Sequence, residues 1–305
     1  MLGASINVSS GTQSFTISGS TLSRNYAATM ALVEEILLEP RFDPDEFGLA
    51  QQRVANSLRQ RAASPVALAG DVFTGLLYGD HMLGLPRLGS VESIDDITLD
   101  DLRAYHAANV AQAYASFLVA GDVGEDEVVA SLSGIAERWQ GEEPTLPAPP
   151  TWDPATAGLY LVDVPNASQS VVRIGYLALP ESDPEFYAAT VMNFRLGGGG
   201  FASDLTQILR EQRGYTYGIG SGFNGTDVPG PFQISSSVRS NITFEALQTV
   251  KEIVEAHGPA FDAADLDATQ SFLLRANARA FETRGAKLGL LADMSAYGFP
   301  ADYVL

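Results

Sequence analysis

The chain has 305 residues, 46% of them apolar, with no cysteine, only two lysines and a formal net charge of −19. Disulfides and thiolate metal sites are excluded, and nucleic acid and anionic lipid are poor partners for such a surface. No run approaches the roughly 20 apolar residues of a membrane span, and the apolar content is ample for two globular cores.

In chain order, residue patterning predicts strands over 3–8 and 13–18, then helices over 25–39, 44–62, 65–78 and 98–107. Thr98 and Asp101 resemble a capping box with Asp in place of Glu. A strand over Tyr114–Ala120 and a helix over 125–138 close this half. Glu142 to Pro154 then carries Pro144, Pro147, Pro149, Pro150 and Pro154, a semi-rigid spacer. Beyond it come strands over 158–164 and 170–178 and a helix over 184–195, followed by a glycine-rich segment. A strand over 231–238 and helices over 242–256 and 263–281 complete the pattern, with Phe244, Leu247, Val250 and Val254 as an apolar stripe. Hairpins mixed with helices point to an α+β fold, with helices on one face of mainly antiparallel sheets.

The chain also repeats itself. Residues 15–36 align without a gap on 232–253 at an offset of 217, with eight identities in 22 positions: Phe15, Ile17, Ser18, Ser20, Ser23, Val33, Glu35 and Ile36 recur. After a two-residue shift, Pro40, Phe42, Asp43 and Gln51 recur as Pro259, Phe261, Asp262 and Gln270. So long a period means two copies of a domain rather than a solenoid array. The division read from this is a first domain at 1–142, a linker at 143–155 and a second domain at 156–305. The offset also predicts that each copy lacks a part, the first at its start and the second at its end.

Residues Leu196–Phe223 are the most informative segment. Four glycines, Gly197–Gly200, open a helix whose Leu205, Ile208 and Leu209 share one side, and Gly214 stops it as the residue past the C-cap. A strand follows with Tyr215, Tyr217 and Ile219 on one face. Arg210 and Tyr217 could point into one cleft, where a guanidinium and a phenol can donate to a carbonyl or the oxyanion it becomes. The residues alone equally allow an Arg that serves the helix dipole and a Tyr that is half-buried packing. The glycine run lacks the Lys-Ser/Thr of a phosphate loop and the dinucleotide spacing.

Elsewhere the chemistry is sparse. His81, His106 and His257 form no His-x-x-x-His pair and read as structural. No Gly-x-Ser-x-Gly motif occurs. The acidic group Glu34, Glu35, Glu39, Asp43, Asp45 and Glu46 reads as a solvated face with helix-dipole matching.

On the glycine-rich turn, helix and Arg–Tyr segment of Leu196–Phe223, the chain resembles peptidase family M16, the pitrilysin, insulinase and mitochondrial processing peptidase group, and within it the bacterial M16B branch. Asp163-Val164-Pro165 with Gln169, Pro40-x-Phe42-Asp43 and Leu118-Val119-Ala120-Gly121-Asp122 support the likeness, and Phe281-Glu282-Thr283 does so more weakly. The resemblance implies two similar α+β domains of the LuxS/MPP-like metallohydrolase fold. It implies Arg210 and Tyr217 as catalytic groups, and Gly198, Gly199, Gly200 and Phe201 as substrate-binding ones.

Family members hydrolyse peptides with one zinc ion, held by a His-x-x-Glu-His helix that would precede Met1 and by a Glu with a second Glu seven residues before it. Counted from Pro40-x-Phe42-Asp43, those two positions fall on Ser57 and Ala50, in a helix segment (51–58) without a carboxylate. Serine is not an ordinary zinc ligand, so this chain is expected to bind no zinc itself. Some M16B peptidases divide the work between two chains, one bearing zinc and the other the Arg–Tyr pair. The resemblance therefore implies a non-zinc subunit of a heterodimer, inactive alone, with zinc in the partner chain and peptide as substrate. No nucleic acid and no integral membrane segment are expected. Asp204 stands where many relatives carry Arg, which leaves the local ion pairing open. The alternatives are an inert core subunit of a larger complex and a single-chain zinc peptidase with an atypical ligand set. Bacterial pairs of this kind are often exported, which makes the periplasm the compartment to test, although the residues themselves do not decide it.

Overall fold

The computed structural model describes residues 2–139, 141, 143–151, 153, 157–277 and 281–303. Of the proline-rich spacer, Glu142, Trp152 and Pro154 lie outside the described residues. The fold is α+β, its strands pair antiparallel, and the chain divides into two compact units: residues 1–59 with 87–147, and 60–86 with 148–305.

The first unit opens with a hairpin of β1 (Ser5–Ser10) and β2 (Phe15–Ser20), in register from Ser5↔Ser20 to Ser10↔Phe15. A 3-10 turn at Ser23–Asn25 leads into α1 (Tyr26–Leu38), which buries Tyr26, Met30 and Leu37 against Ile135 of α6 (Glu125–Arg138). Arg138 of α6 joins Glu34 and Glu39, so part of the acidic group is an ion-pair network rather than only a solvated face. Between them lie α2 (Pro44–Ala62), which starts in this unit, α4 (Val91–Asp96) and α5 (Leu99–Asn109). The capping box at α5 is formed in both directions: Asp101 N donates to Thr98 Oγ1 at 3.2 Å and Thr98 N donates to Asp101 Oδ2 at 2.8 Å.

The Thr98 hydroxyl, and then its backbone N–H, hold the Asp101 carboxyl below its ordinary value. A lowered folded-state value means the cap stabilises above the ordinary carboxylate range and is lost as pH falls through the folded value. Thr98→Ala is therefore expected to lower the urea midpoint most near neutral pH, with the gap to wild type closing in acid. A gap independent of pH would sever the cap from Asp101 ionisation.

The second unit holds α3 (Pro65–Tyr78) and a sheet ordered β3 (Gln169–Leu177), β5 (Pro231–Arg239), β4 (Thr216–Phe223). Burial along β5 alternates strictly, and Phe232, Ile234, Ser236 and Val238 are the buried set. Phe232, Ile234 and Val238 meet Leu196, Leu205, Leu209, Ile219, Ala246, Val250 and Ile253 in one cluster. Of the helices in this unit, α8 (Thr243–Ala260) contributes to that cluster, and the unit also holds α7 (Phe186–Asn193), α9 (Ala263–Asn277) and α10 (Arg284–Tyr297). Among the described residues no helix is long and apolar enough to cross a membrane.

The repeat is visible in three dimensions. In both copies a hairpin strand enters a 3-10 turn and then a helix, at Ser23–Asn25 into α1 and at Ser240–Ile242 into α8, the same offset of 217. The next helix is capped alike. Asp43 Oδ1 accepts from the N–H groups of Asp45 and Glu46, and Asp262 Oδ1 from those of Ala264 and Asp265.

Three expectations from patterning fail. Residues 114–120 and 158–164 are not strands: neither has a ladder partner among the described residues, and Leu159 and Leu161 are almost fully exposed. Alternation marks a capacity to pair, and a strand exists only where a neighbour supplies the hydrogen bonds. On α8 the buried face is Ala246, Thr249, Val250, Ile253 and His257, while Phe244 and Val254 face solvent. Two stripes compete in that helix, and the one with small residues at its start allows close approach to β5. The helix expected over 263–281 is present as α9 up to Asn277, with residues 278–280 of that expectation outside the described residues, and α10, which the patterning did not include, follows with Thr283 Oγ1 accepting from Ala286 N.

Candidate functional site

The segment from α7 to β4 builds the site from two stretches of wide helix. After α7 the chain makes a π-helical turn at Phe194–Gly198, a 3-10 turn at Gly200–Ala202, and a second π-helical segment at Thr206–Gln212. An α-helix was expected after the glycines. The wider winding is set by tertiary packing: Leu205 and Leu209 are both completely buried, and Thr206 Oγ1 reaches Ile219 O at 3.2 Å. Such segments cluster at functional sites.

Each member of the glycine run has its own reason. Gly200 is in the left-handed region at φ 57°, which costs a side-chain-bearing residue about 1–2 kcal/mol. At Gly198 and Gly199 a Cβ would crowd Asn193 Nδ2 at 2.9 Å and Phe194 O at 2.7 Å. Gly214 also has positive φ, 61°, and donates to Arg210 O, which ends the helix as expected.

The guanidinium of Arg210 lies 4.5 Å from the ring centroid of Phe201, and its Nε is 3.3 Å from Glu211 Oε1. Phe201 is exposed, so the stack is a cation–π contact at the surface. Both Nη atoms take no partner among the described residues and remain available as donors. The structure thus brings two of the expected site residues together, Arg210 and Phe201.

Tyr217 is 90% exposed, and its side chain makes no hydrogen bond or ring contact among the described residues. It was expected to share a face with Ile219, but Ile219 is buried in the core. The cause is a β-bulge: Thr216 pairs with Val238 and Ile219 with Ser236, so three steps on β4 oppose two on β5. A bulge re-aims a side chain. Hydroxyls lock this one. Thr216 Oγ1 accepts from Gly218 N at 3.1 Å and lies 2.8 Å from Ser237 O, while Ser236 Oγ contacts both Thr216 Oγ1 and Gly218 O at 3.0 Å.

Beyond the bulge, the outer edge of β4 is closed. Asn193 Nδ2 donates to Ser221 O at 3.0 Å, and Thr206 takes Ile219 O. The outer edge of β3 has no strand beside it among the described residues. Asp204, left open by the sequence, pairs with Arg195 at 3.0 Å, and Arg195 also meets Asp265 at 3.2 Å. The buried His257 lies 3.9 Å from Asp204 Oδ2 and faces Met192 O through Nε2 at 3.1 Å. His106 and His81 likewise serve backbone carbonyls, Leu37 O and Ala148 O.

Ala50 and Ser57 lie half-buried along α2. A methyl group and a neutral hydroxyl do not fit a zinc site, which needs nitrogen, thiolate or carboxylate donors. Among the described residues no group of His, Asp and Glu converges as a metal site.

The family model described as the peptidase M16 inactive domain matches residues 96–273. An uncharacterized zinc protease of Mycobacterium leprae is 26% identical over 225 residues, 73% of this chain and 50% of its own. A protein of Helicobacter pylori named a non-peptidase homolog is 24% identical over 98% of this chain and 69% of its own. The crystal structure of a peptidase M16 inactive domain from Pseudomonas fluorescens superposes with TM-score 0.87 at 26% identity, covering 99% of this chain and 73% of that one. The chain thus spans about half the length of the zinc-protease relative.

Proposed function

Since the chain belongs to the peptidase M16 inactive domain family, matched over residues 96–273, we propose that it is the non-zinc half of a two-chain zinc peptidase. Its task is to bind peptide and steady the reacting amide. The zinc would be carried by a second M16 chain of the M16B branch and would supply the activated water. What this chain contributes is two donors on wet surface. Among the described residues both Nη atoms of Arg210 lack a partner while its guanidinium stacks on Phe201, and Tyr217 is turned outward by the bulge. Directed at a scissile carbonyl, they would donate to the oxygen as negative charge develops. Gly200, where an added Cβ would meet nothing within 4 Å, leaves backbone open beside Phe201, and substrate would lie there over the tight turn of Gly198 and Gly199. An extended peptide would add along β3, because the outer carbonyls of β4 are already taken by Asn193 and Thr206.

The observation that carries this reading is the lopsided chemistry of the chain. Positions 50 and 57 hold no metal-binding group, whereas Arg210 and Tyr217 are both present and solvent-facing. The test combines the full-length protein with its zinc-bearing M16 partner and measures peptide turnover. Arg210→Ala and Tyr217→Phe are each expected to lower kcat by about 10²-fold, the scale for one oxyanion donor. Unchanged turnover removes the catalytic role.

A second reading, an inert core subunit, is favoured by the name of the Helicobacter pylori relative, a non-peptidase homolog. Under it the same two substitutions change nothing, and the protein purifies inside a larger assembly without a zinc-bearing M16 chain.

A further inference from the structure

One face of the second sheet is packed into the core, and the other carries a recess of about 300 Å³. Its floor is bare. Gly218 and Gly220 of β4 expose backbone, Ser235 and Ser237 of β5 present hydroxyls, and Val66 of α3 forms a wall. Arg173 of β3 lines the same recess and is directly opposite Ser235 in the ladder, as Gly220 is from the other side.

Three features of this recess are unexplained by folding. The Arg173 Nε is buried and has no hydrogen-bond partner, and the guanidinium pairs with no carboxylate among the described residues. A buried donor left unpaired costs free energy that an apolar side chain would not. The hydroxyls of Ser235 and Ser237 also take no partner among the described residues. Finally, a Cβ on Gly218 would meet nothing within 4 Å, so the glycine of the bulge leaves this part of the recess floor open to a ligand.

We propose that this recess is a carboxylate subsite, in which Arg173 and the Ser235 and Ser237 hydroxyls bind one carboxylate carried by a peptide that lies along β3. The proposal rests on the peptide-binding reading above and adds a specificity to it. A guanidinium is matched to a carboxylate in shape and charge, and the hydroxyls complete the acceptor's remaining lone pairs. A net charge of −19 repels polyanions, so the ligand is a neutral or basic peptide with a single carboxylate. That group is either the peptide's C-terminus or one Asp or Glu side chain.

The experiment uses the full-length protein and three dye-labelled ten-residue peptides: one with a free C-terminus, one amidated with a single internal Glu, and one amidated and neutral. Fluorescence anisotropy gives Kd. At least one carboxylate peptide is expected to bind tenfold more tightly than the neutral one, and which of the two does so identifies the source. Arg173→Gln is expected to abolish that ratio. Ser235→Asp places a carboxylate opposite Arg173 and is expected to abolish it as well without lowering Tm, which covers the case in which Arg173→Gln fails to fold. Equal binding of all three peptides, or a ratio that survives in folded Ser235→Asp, overturns the subsite while leaving the Arg210–Tyr217 reading intact. If no peptide binds, the peptide-binding reading fails, and acetate titration followed at the Arg173 Nε–H NMR resonance decides the subsite: a saturable shift supports it and no shift overturns it.

Discussion

Leu205→Ala is expected to lower the unfolding free energy by about 3–5 kcal/mol, the upper part of the range for leucine truncation in a core that cannot collapse. Leu205 is completely buried, as is Leu209 beside it. Its surroundings are a sheet face (Ile219, Ile234, Val238) and α8 (Ala246, Val250), both fixed by ladder and helix hydrogen bonds. The backbone on its third side is the turn at Gly197, where Leu205 Cδ1 would lie 2.8 Å from an added Cβ. None of these can move inward to fill a void without breaking backbone bonds. Urea unfolding read by far-UV circular dichroism measures the loss. Leu266→Ala is the control, because Leu266 is 38% exposed on α9, and its cost is expected to stay below about 1 kcal/mol. Equal losses for the two substitutions would mean that the helix carrying Leu205 does not seat as described.

Gly197→Ala is expected to cost about 3 kcal/mol or more, at the high end for overpacking. An added Cβ would sit 2.3 Å from Ser221 Oγ, 2.7 Å from Ser221 N and 2.8 Å from Leu205 Cδ1. The serine hydroxyl can rotate, but the Ser221 backbone is held in β4, so the π-helical turn must lift away. Lifting it breaks the Asn193 Nδ2 bond to Ser221 O and the partner bond from Ser221 Oγ to Asn193 Oδ1 at 2.5 Å. The neighbouring Gly200→Ala offers the contrast. Nothing lies within 4 Å of its Cβ, and only the positive φ is strained, which limits the cost to about 1–2 kcal/mol. Hydrogen exchange should show faster opening at Ser221 in Gly197→Ala than in Gly200→Ala. The reverse order would contradict the close approach.

Much of the architecture is legible as local code. The Thr98–Asp101 pair is a cap whose role follows from spacing alone, whereas Asp43, read as part of a solvated acidic face, and Asp262 are caps of the same local kind that went unread, each with backbone N–H groups two or three residues away. The identities between 15–36 and 232–253 foretell the shared hairpin, turn and helix. Thr283 and Gly298 bracket α10 with the same kind of signal, a side-chain cap at one end and a left-handed glycine at the other, and there the signal goes unread.

By itself, then, the order of residues determined the α+β composition, the internal duplication, the absence of a metal-binding group at positions 50 and 57, and the presence of Arg210 and Tyr217. Only the tertiary structure decided where the functional groups point. The bulge at Tyr217 exists because Thr216 and Ser236 can share hydroxyl bonds across β4 and β5, twenty residues apart in the chain. The wide winding of Thr206–Gln212 exists because Leu205 and Leu209 must both reach one core while Thr206 reaches Ile219 O. Residue periodicity records which side chains are apolar. It holds no record of which distant backbone will stand opposite them, and that backbone turned Tyr217 to solvent, buried Ile219, and left Arg173 facing an open recess.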